Sequence, residues 1–367
     1  MTVVQFKQST GMSNVLILFS SSQLGGAEKS LSRMAFLSDD VNYILGTLDS
    51  EGPWCDWVRA NGFPPSVYGN YNLISLVIKL YRDIKRLPID VVYVCGLRAS
   101  FLLRFLLIFI PKTKLIHGVR WNPSTDSLLD KSFRIVETWF SWLVDGWIVN
   151  SKVIKNTLLN RCNIKNNDVY VIYNGVNFPS NIGSFSERPL EILTVANLSK
   201  RKGYIEYLKN ISKIVDIVPN LKFVFVGRDD MNGLVQKKII EYGLENYISY
   251  EGFHSDVTDY YKRAKLFVLP SLWGEGCPTA ILEALSYSVP VVAYNIDGIP
   301  ELINNGDDGL LLEVDDNNAY REIVKMLNSY DNLSVMGKRG RNKIQSKFTI
   351  ESCVNNHKTV VNEILAK

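Results

Sequence analysis

Short apolar runs of strand length alternate with amphipathic segments of helix length along nearly all of this 367-residue chain. Runs such as Val91–Cys95 and Leu266–Leu269 are apolar at consecutive positions, as strands are when helices cover both faces of a parallel sheet. Segments such as Leu73–Arg86 have the length and polarity of the covering helices. The alternation predicts an α/β architecture with doubly wound parallel sheets.

Two series of such strands are separated by residues 174–184, which are rich in Gly, Asn, Ser and Pro. That composition is typical of turns and linkers, and the chain is long enough for two domains that each bury a core. We expect one domain over residues 1–174, a second over 175–350 and a final helix over 351–367. The expected strands are Val15–Phe19, Tyr43–Thr47, Val91–Cys95, Leu115–His117, Gly146–Val149 and Val169–Ile172, then Glu191–Ala196, Lys222–Val226, Ile248–Glu251, Leu266–Leu269, Val289–Ala293 and Leu310–Val314.

Composition excludes several classes of protein. A hydrophobic content of 46% with 21% charged residues is typical of a globular chain. The net charge of +4 is too small to indicate nucleic-acid binding. Five scattered cysteines without a CxxC pair favour a reducing compartment and give no metal-ligand spacing. The apolar runs and the N-terminal sequence predict neither a transmembrane helix nor a signal peptide.

The stretch Ser271–Leu285 carries the strongest sign of a chemical site. It follows the strand Leu266–Leu269, passes through a glycine-rich loop and enters a helix that we expect to begin at Pro278. Strand, glycine loop and helix N-terminus together make an anion-binding corner at the carboxyl edge of a parallel sheet. Glu275 lies in the loop and Glu283 in the helix. Alternatively, these two carboxylates merely complement a helix dipole.

Glu283 is surrounded in sequence by alanine, isoleucine and leucine. An ionised carboxylate in such surroundings is costly unless a partner binds it. Because a carboxylate has two acceptor oxygens, a pair of vicinal hydroxyls, such as those of a ribose, suits it.

Three further motifs lie at predicted strand ends. Gly25 and Gly26 precede the first long helix and let backbone N–H groups approach a diphosphate. His117 ends a predicted strand, where a structural role is the commoner alternative. Residues 200–202, Lys-Arg-Lys, precede a glycine and would place positive charge where a leaving diphosphate becomes more negative. The alternative for this basic run is a solvated turn.

These motifs resemble those of the retaining glycosyltransferases of family four (glycosyl transferases group 1), including members that build bacterial surface polysaccharides. The Glu-x7-Glu spacing from Glu275 to Glu283 matches, with Pro-Ser, Gly-Glu-Gly and Pro around it, and so does Gly-Gly-Ala-Glu after the first strand. The resemblance extends from about Val15 to Val314. It implies the GT-B fold, with two Rossmann-like doubly wound domains that face a central cleft, and a final helix that crosses back to the first domain.

The resemblance implies a nucleotide-sugar site in the second domain. Glu283 would hold the ribose, Lys202 the diphosphate and Glu275 the hydroxyls of the donor sugar. The family's usual arginine position is occupied here by Asn197, so Arg201 or Lys200 substitutes or the lysine acts alone. The implied catalytic residues are His117, Lys202 and Glu275. The implied donor contacts are Gly25, Gly26, Asn197, Arg201, Lys202, Arg228, Phe253, Glu275, Gly276, Cys277, Pro278, Thr279 and Glu283.

The implied acceptor is a glycan or a lipid-linked saccharide. Arg120, Trp121 and Asn122 are the expected acceptor contacts, and Asp126 is a weaker candidate with a turn or cap role as its alternative. Basic Leu73–Arg86, apolar Phe101–Pro111 and the pair Trp139 and Trp142 are compatible with peripheral contact at the inner, cytoplasmic face of an anionic membrane. The alternative for all three is packing in a core.

The expected activity is therefore transfer of a hexosyl or N-acetylhexosaminyl group from a nucleotide diphosphate, with UDP favoured and configuration retained, in polysaccharide or lipopolysaccharide assembly. No metal or other cofactor is expected. Two alternatives stay open: a nucleotide-sugar epimerase of the same fold, and a sugar-nucleotide-binding protein without activity. Residue types do not encode hydroxyl stereochemistry, so they leave the sugar and the linkage open.

Overall fold

The computed structural model describes residues 12–125, 127–314 and 318–367. The chain divides into two compact units. The first unit contains the described residues up to Gly175 together with Ile350–Lys367, and the second contains Val176–Thr349. Each unit is built on one parallel sheet, so the prediction of two Rossmann-like α/β domains is confirmed.

The first unit has a seven-stranded sheet in the order β3-β2-β1-β4-β5-β6-β7. Its strands are β1 (Ser13–Phe19), β2 (Val41–Thr47), β3 (Ser66–Val67), β4 (Val91–Cys95), β5 (Lys114–Val119), β6 (Gly146–Val149) and β7 (Val169–Val171). Its helices are α1 (Gly26–Phe36), α2 (Pro53–Ala60), α3 (Leu73–Arg86), α4 (Leu97–Leu107), α5 (Leu128–Phe140), α6 (Lys152–Cys162) and, from the end of the chain, α13 (Ile350–Leu365).

The second unit has a six-stranded sheet in the order β10-β9-β8-β11-β12-β13. Its strands are β8 (Glu191–Val195), β9 (Lys222–Val226), β10 (Ile248–Gly252), β11 (Leu266–Leu269), β12 (Val291–Tyr294) and β13 (Gly309–Leu312). Its helices are α7 (Tyr204–Ile217), α8 (Leu234–Glu241), α9 (Thr258–Arg263), α10 (Thr279–Ser286), α11 (Ala319–Leu327) and α12 (Tyr330–Lys347).

Strand β1 shows why the apolar runs are continuous. Ile17 belongs to a core that also contains Val361 and Ile364 of the last helix, α13. The adjacent Leu16 belongs to a second core, with Leu80 of α3, on the opposite face of the sheet. Because successive side chains point to opposite faces and both faces are covered, the five buried positions of the strand, Val15–Phe19, are all apolar.

Two boundaries that bear on the expected site differ from the prediction by one or two residues. Helix α10 begins at Thr279, and Pro278 occupies its N-cap with an extended ψ of 114°. A proline fits this position because it needs no N–H partner there. Strand β5 continues to Val119, so His117 lies inside the strand and not at its end.

Candidate active site

The glycine-rich loop between β11 and α10 is held by Asp297, which lies in the turn after β12. Its Oδ2 accepts hydrogen bonds from the backbone N–H groups of Gly274 at 2.6 Å and Glu275 at 3.1 Å. The N–H of Gly298 donates to the carbonyl oxygen of Glu275 at 3.1 Å. These bonds fix the backbone from which the Glu275 side chain projects.

Glu275 forms a buried ion pair with Lys202. The Lys202 Nζ atom lies 2.5 Å from Glu275 Oε1, and an Arg201 guanidinium nitrogen lies 3.2 Å from the same oxygen. Burial alone would raise the pKa of Glu275, but the charges of Lys202 and Arg201 outweigh burial and lower it to about 2. Glu275 is therefore a carboxylate at neutral pH, and two cations surround it.

The position of Lys202 depends on the glycine that follows it. Gly203 has a φ of +65°, and a Cβ atom at this residue would lie 2.1 Å from the carbonyl oxygen of Pro270. Only glycine adopts this conformation without strain and leaves the space that the neighbouring loop occupies. The N–H of Leu272 also donates to the carbonyl oxygen of Arg201 at 2.8 Å. The loops after β8 and β11 are thus joined through their backbones.

Glu283 lies on α10 and is half-buried. Tyr261 donates its hydroxyl hydrogen bond to Glu283 Oε2 at 3.2 Å. Ile281, Ala284 and Leu285 beside it are fully buried, so Glu283 is the charged residue in a mostly apolar helix. The Tyr261 hydroxyl orients the carboxylate of Glu283.

The other expected donor contacts of the second unit lie on the same edge of its sheet. Asn197 and Arg228 follow β8 and β9, and the Arg228 N–H donates to Asn197 Oδ1 at 3.2 Å. The Arg228 side chain pairs with Asp230. Phe253, after β10, is 44% exposed. Cys277 is buried, and its expected contact with the donor stays a prediction.

In the first unit, Gly25 is the N-cap of α1 and Gly26 its first residue. The expected diphosphate contact at these two glycines stays a prediction.

His117 belongs to a buried charged network beneath α4 and α5. Its Nδ1 lies 3.0 Å from Glu137 Oε1 and 3.1 Å from the hydroxyl oxygen of Ser100. Arg104 pairs with the same Glu137, and Trp147 donates to its other oxygen at 2.6 Å. Burial would raise the pKa of Glu137, but His117 and Arg104 outweigh burial and lower it to about 2. His117 has no exposed surface, so the catalytic role that the resemblance gives it stays a prediction.

The sequence analysis missed Glu137 and Arg104 as partners of His117. The available signal was a charge in each of two apolar helices: Arg104 interrupts Phe101–Ile110, and Glu137 lies in the amphipathic α5. A charge that faces a core must be paired. The sequence does not show which partner it finds.

The three expected acceptor residues have different surroundings. Arg120 is partly buried and donates to Tyr93 and Asn174. Trp121 donates from its indole nitrogen to Asp130 at 3.1 Å, and Asn122 is 3% exposed and accepts from a threonine of α6. Acceptor contact by Trp121 and Asn122 stays a prediction, and the burial of Asn122 does not favour it. Asp126 lies outside the described residues.

Within 12–125, 127–314 and 318–367, no group of three or more His, Cys, Asp or Glu side chains is arranged to hold a metal ion.

Comparison with known families covers most of the chain. The family described as Glycosyltransferase Family 4 matches residues 40–178, and the family described as Glycosyl transferases group 1 matches residues 180–343. The second match contains Lys202, Glu275 and Glu283.

Individual relatives agree with these families. An Escherichia coli protein named UDP-Gal:alpha-D-GlcNAc-diphosphoundecaprenol alpha-1,3-galactosyltransferase is 27% identical over 337 residues, which is 85% of this chain and 86% of that protein. The crystal structure of Anabaena HepE in complex with UDP superposes with a TM-score of 0.83 at 18% identity, over 95% of this chain and 100% of that one. The apo form of the lipopolysaccharide outer core galactosyltransferase WaaB gives a TM-score of 0.70 at 18% identity, over 96% and 99%.

Proposed function

Because this chain belongs to the glycosyltransferases of group 1 and family 4, we propose that it transfers a sugar from a UDP-sugar to a lipid-linked saccharide with retention of anomeric configuration. That it is a glycosyltransferase of polysaccharide biosynthesis follows from the family and its relatives. The finer proposal depends on one observation, the buried pair of Lys202 and Glu275 beside the N-terminus of α10.

The two residues of the ion pair have separate roles in the proposed binding of the donor. Lys202, joined by Arg201, supplies positive charge for a diphosphate, and the N-terminus of α10 adds the field of the helix dipole. Glu275 supplies acceptor oxygens for sugar hydroxyls. Glu283, oriented by Tyr261, accepts from the two ribose hydroxyls.

The proposed transfer forms one bond and breaks one bond at the anomeric carbon. The acceptor oxygen bonds to the anomeric carbon on the face from which the UDP oxygen departs, and the bond from that carbon to the UDP oxygen breaks. The acceptor proton passes to the departing phosphate. Lys202 and the helix N-terminus stabilise the negative charge that develops on the diphosphate, so we propose that neither a metal nor another cofactor is required.

The test is a transfer assay with UDP-galactose, UDP-glucose and UDP-N-acetylglucosamine, and with polyprenyl-diphosphate-linked N-acetylglucosamine as acceptor. We expect release of UDP from one donor, undiminished by EDTA, and a product whose anomeric NMR coupling matches the configuration of the donor. A product of opposite configuration contradicts retention. An epimerised sugar formed without acceptor favours the epimerase alternative, and UDP-sugar binding without turnover favours the inactive binding protein.

We also propose peripheral contact with an anionic membrane. No helix of the described residues is long and apolar enough to span a bilayer. Helix α5 and the turn after it nevertheless expose Leu128, Ile135, Trp139 and Trp142, each by more than half. The spacing of these residues places them along one side of the helix. We call these four residues the aromatic face.

Two neighbouring features suit a lipid surface. Phe105 of α4 packs on Phe140 of α5 at 5.2 Å between ring centroids, and Phe109, just after α4, is 71% exposed, so the apolar surface extends onto α4. Lys131 and Arg134 line an open depression together with Ile135 and Trp139 of the aromatic face. Cations beside exposed tryptophans are typical of proteins that bind an anionic interface.

The double variant Trp139→Ala/Trp142→Ala should lose at least about nine-tenths of its sedimentation with phosphatidylglycerol vesicles, because two large interfacial side chains are removed. The matched control is Ile217→Ala/Ile240→Ala, which removes two exposed apolar residues of the second unit and should sediment like wild type. Equal sedimentation of the two double variants, or none by the wild-type protein, would contradict membrane contact through the aromatic face.

A further inference from the structure

Arg120 follows β5, at the carboxyl edge of the first sheet, and its charge has only neutral partners. Its guanidinium donates to the Tyr93 hydroxyl oxygen at 2.7 Å and to Asn174 Oδ1 at 3.0 Å. Its Nε–H is buried and has no hydrogen-bond partner among the described residues. Within the same residues, no carboxylate lies within ion-pair distance of it. Arg120 is therefore a partly buried cation without a counter-ion.

The groups around Arg120 do not supply a negative charge. Burial raises the pKa of both Tyr93 and Cys95 to about 12. Burial also raises the pKa of Cys353, and burial together with the charge of Arg120 lowers the pKa of His357 well below its ordinary value. All four side chains are thus neutral at pH 7. The charge of the guanidinium stays uncompensated across the whole neutral range.

An uncompensated buried charge destabilises a fold unless a ligand completes the site. A guanidinium presents a planar fork of donors that matches the oxygens of phosphate. Arg120 is partly exposed to solvent. Ser30, in the second turn of α1, donates to the same Asn174 oxygen as Arg120 at 3.1 Å, which connects the guanidinium to the helix that begins at Gly26.

We propose that Arg120 is the centre of an anion-binding site in the first unit and that its ligand is a phosphate group. The inference rests on the proposed function, because that reaction offers two sources of phosphate. One is the diphosphate that joins the acceptor saccharide to its lipid, and the other is the diphosphate of the donor. Arg120 orients the substrate and makes or breaks no bond in the reaction.

The test compares Arg120→Met with Arg98→Met, which removes one positive charge from an exposed site on α4 and is the matched control. The ligands are a short-chain polyprenyl diphosphate, inorganic pyrophosphate and UDP, each titrated by calorimetry. Arg120→Met should weaken binding of at least one of them by about tenfold or more, because hydrogen bonds from a charged donor are lost. Arg98→Met should bind like wild type.

The ligand whose binding is weakened in Arg120→Met identifies the source of the phosphate group. Weaker binding of polyprenyl diphosphate alone assigns Arg120 to the acceptor, and weaker binding of UDP assigns it to the donor. Equal affinities of Arg120→Met and wild type for all three ligands would overturn the proposal, as would an equal loss in Arg98→Met. If Arg120→Met does not fold, Arg120→Lys provides the test, because it keeps the charge and should retain pyrophosphate binding with reduced affinity.

A second readout separates this site from a structural role. In phosphate-free buffer Arg120→Met should keep the melting temperature of wild type, because loss of an uncompensated charge offsets the loss of two hydrogen bonds. A large decrease without ligand, with unchanged ligand affinities, assigns Arg120 to folding alone. Pyrophosphate binding that depends on Arg120 in a protein without transferase activity would leave this inference standing and remove the proposed function. Sugar transfer by Arg120→Met at the wild-type rate would remove this inference and leave the proposed function standing.

Discussion

Replacing Lys202 by methionine should lower the rate of sugar transfer by about a hundredfold to a thousandfold, the effect of removing one preorganised group that stabilises developing negative charge. The Lys202 ammonium is largely buried and lies 2.5 Å from Glu275. Water therefore screens its charge poorly, and a methionine of similar length removes the charge without leaving a large cavity. We expect the loss in kcat, measured with saturating UDP-sugar, because the charge on the diphosphate is greatest in the transition state.

Two variants control this experiment. Lys202→Arg keeps the positive charge and should retain far more activity than Lys202→Met. Arg201→Met removes a cation whose side chain is 44% exposed, and its effect should be smaller because solvent screens that charge. The melting temperature of each variant without ligand shows whether the site around Glu275 is still folded. A Lys202→Met enzyme that is folded and within threefold of wild-type activity would remove Lys202 from the mechanism.

The sequence predicted the two α/β units because buried parallel strands leave a clear signal. The bounds of β4, β6, β9 and β11 are those expected from the apolar runs. Strand β3 was missed, since its two residues, Ser66 and Val67, are too few to show a period. The order of the strands in each sheet could also not be predicted from the sequence, and that order positions the candidate site. Because β8 and β11 are neighbours in the sheet, the loops that follow them meet.

The pairing of Lys202 with Glu275 illustrates what the sequence leaves out. The two residues are 73 positions apart in the sequence, and no local pattern connects them. Resemblance to a family named both residues, but the contact, the closeness of Gly203 to Pro270 and the Asp297 hydrogen bonds to the loop come from the fold. The turn that contains Asp297 holds the backbone of the candidate site, and no pattern in the sequence shows that it does.

Exposure was the least predictable property. Packing in a core was the alternative for Trp139 and Trp142, since most paired aromatics belong to one, but they are 71% and 75% exposed. That alternative is wrong because α5 buries the side that carries Phe133, and the two tryptophans do not lie on that side. His117 shows the opposite error. Strand β5 continues for two residues beyond it, so His117 lies within the strand and not at its expected end.

Replacing Glu283 by alanine should weaken UDP binding by about tenfold to a hundredfold, because two hydrogen bonds from the ribose to a charged acceptor are lost. The side chain is half-buried and its carboxylate is oriented by the Tyr261 hydroxyl at 3.2 Å, so little ordering is needed when a ribose binds. Glu283→Gln is the matched control. It keeps the size and one acceptor oxygen, and it should bind UDP with an affinity between those of Glu283→Ala and wild type.

The most direct test of nucleotide binding by the second unit is a thermal-shift titration of wild type and Glu283→Ala with UDP, GDP and ADP. A ligand that binds only the folded state raises the melting temperature according to its concentration and affinity. We predict that UDP stabilises wild type more than GDP or ADP does, and that Glu283→Ala needs at least tenfold more UDP for the same shift. No stabilisation by any nucleotide, or identical UDP curves for wild type and Glu283→Ala, would contradict the assignment of this site to a UDP-sugar.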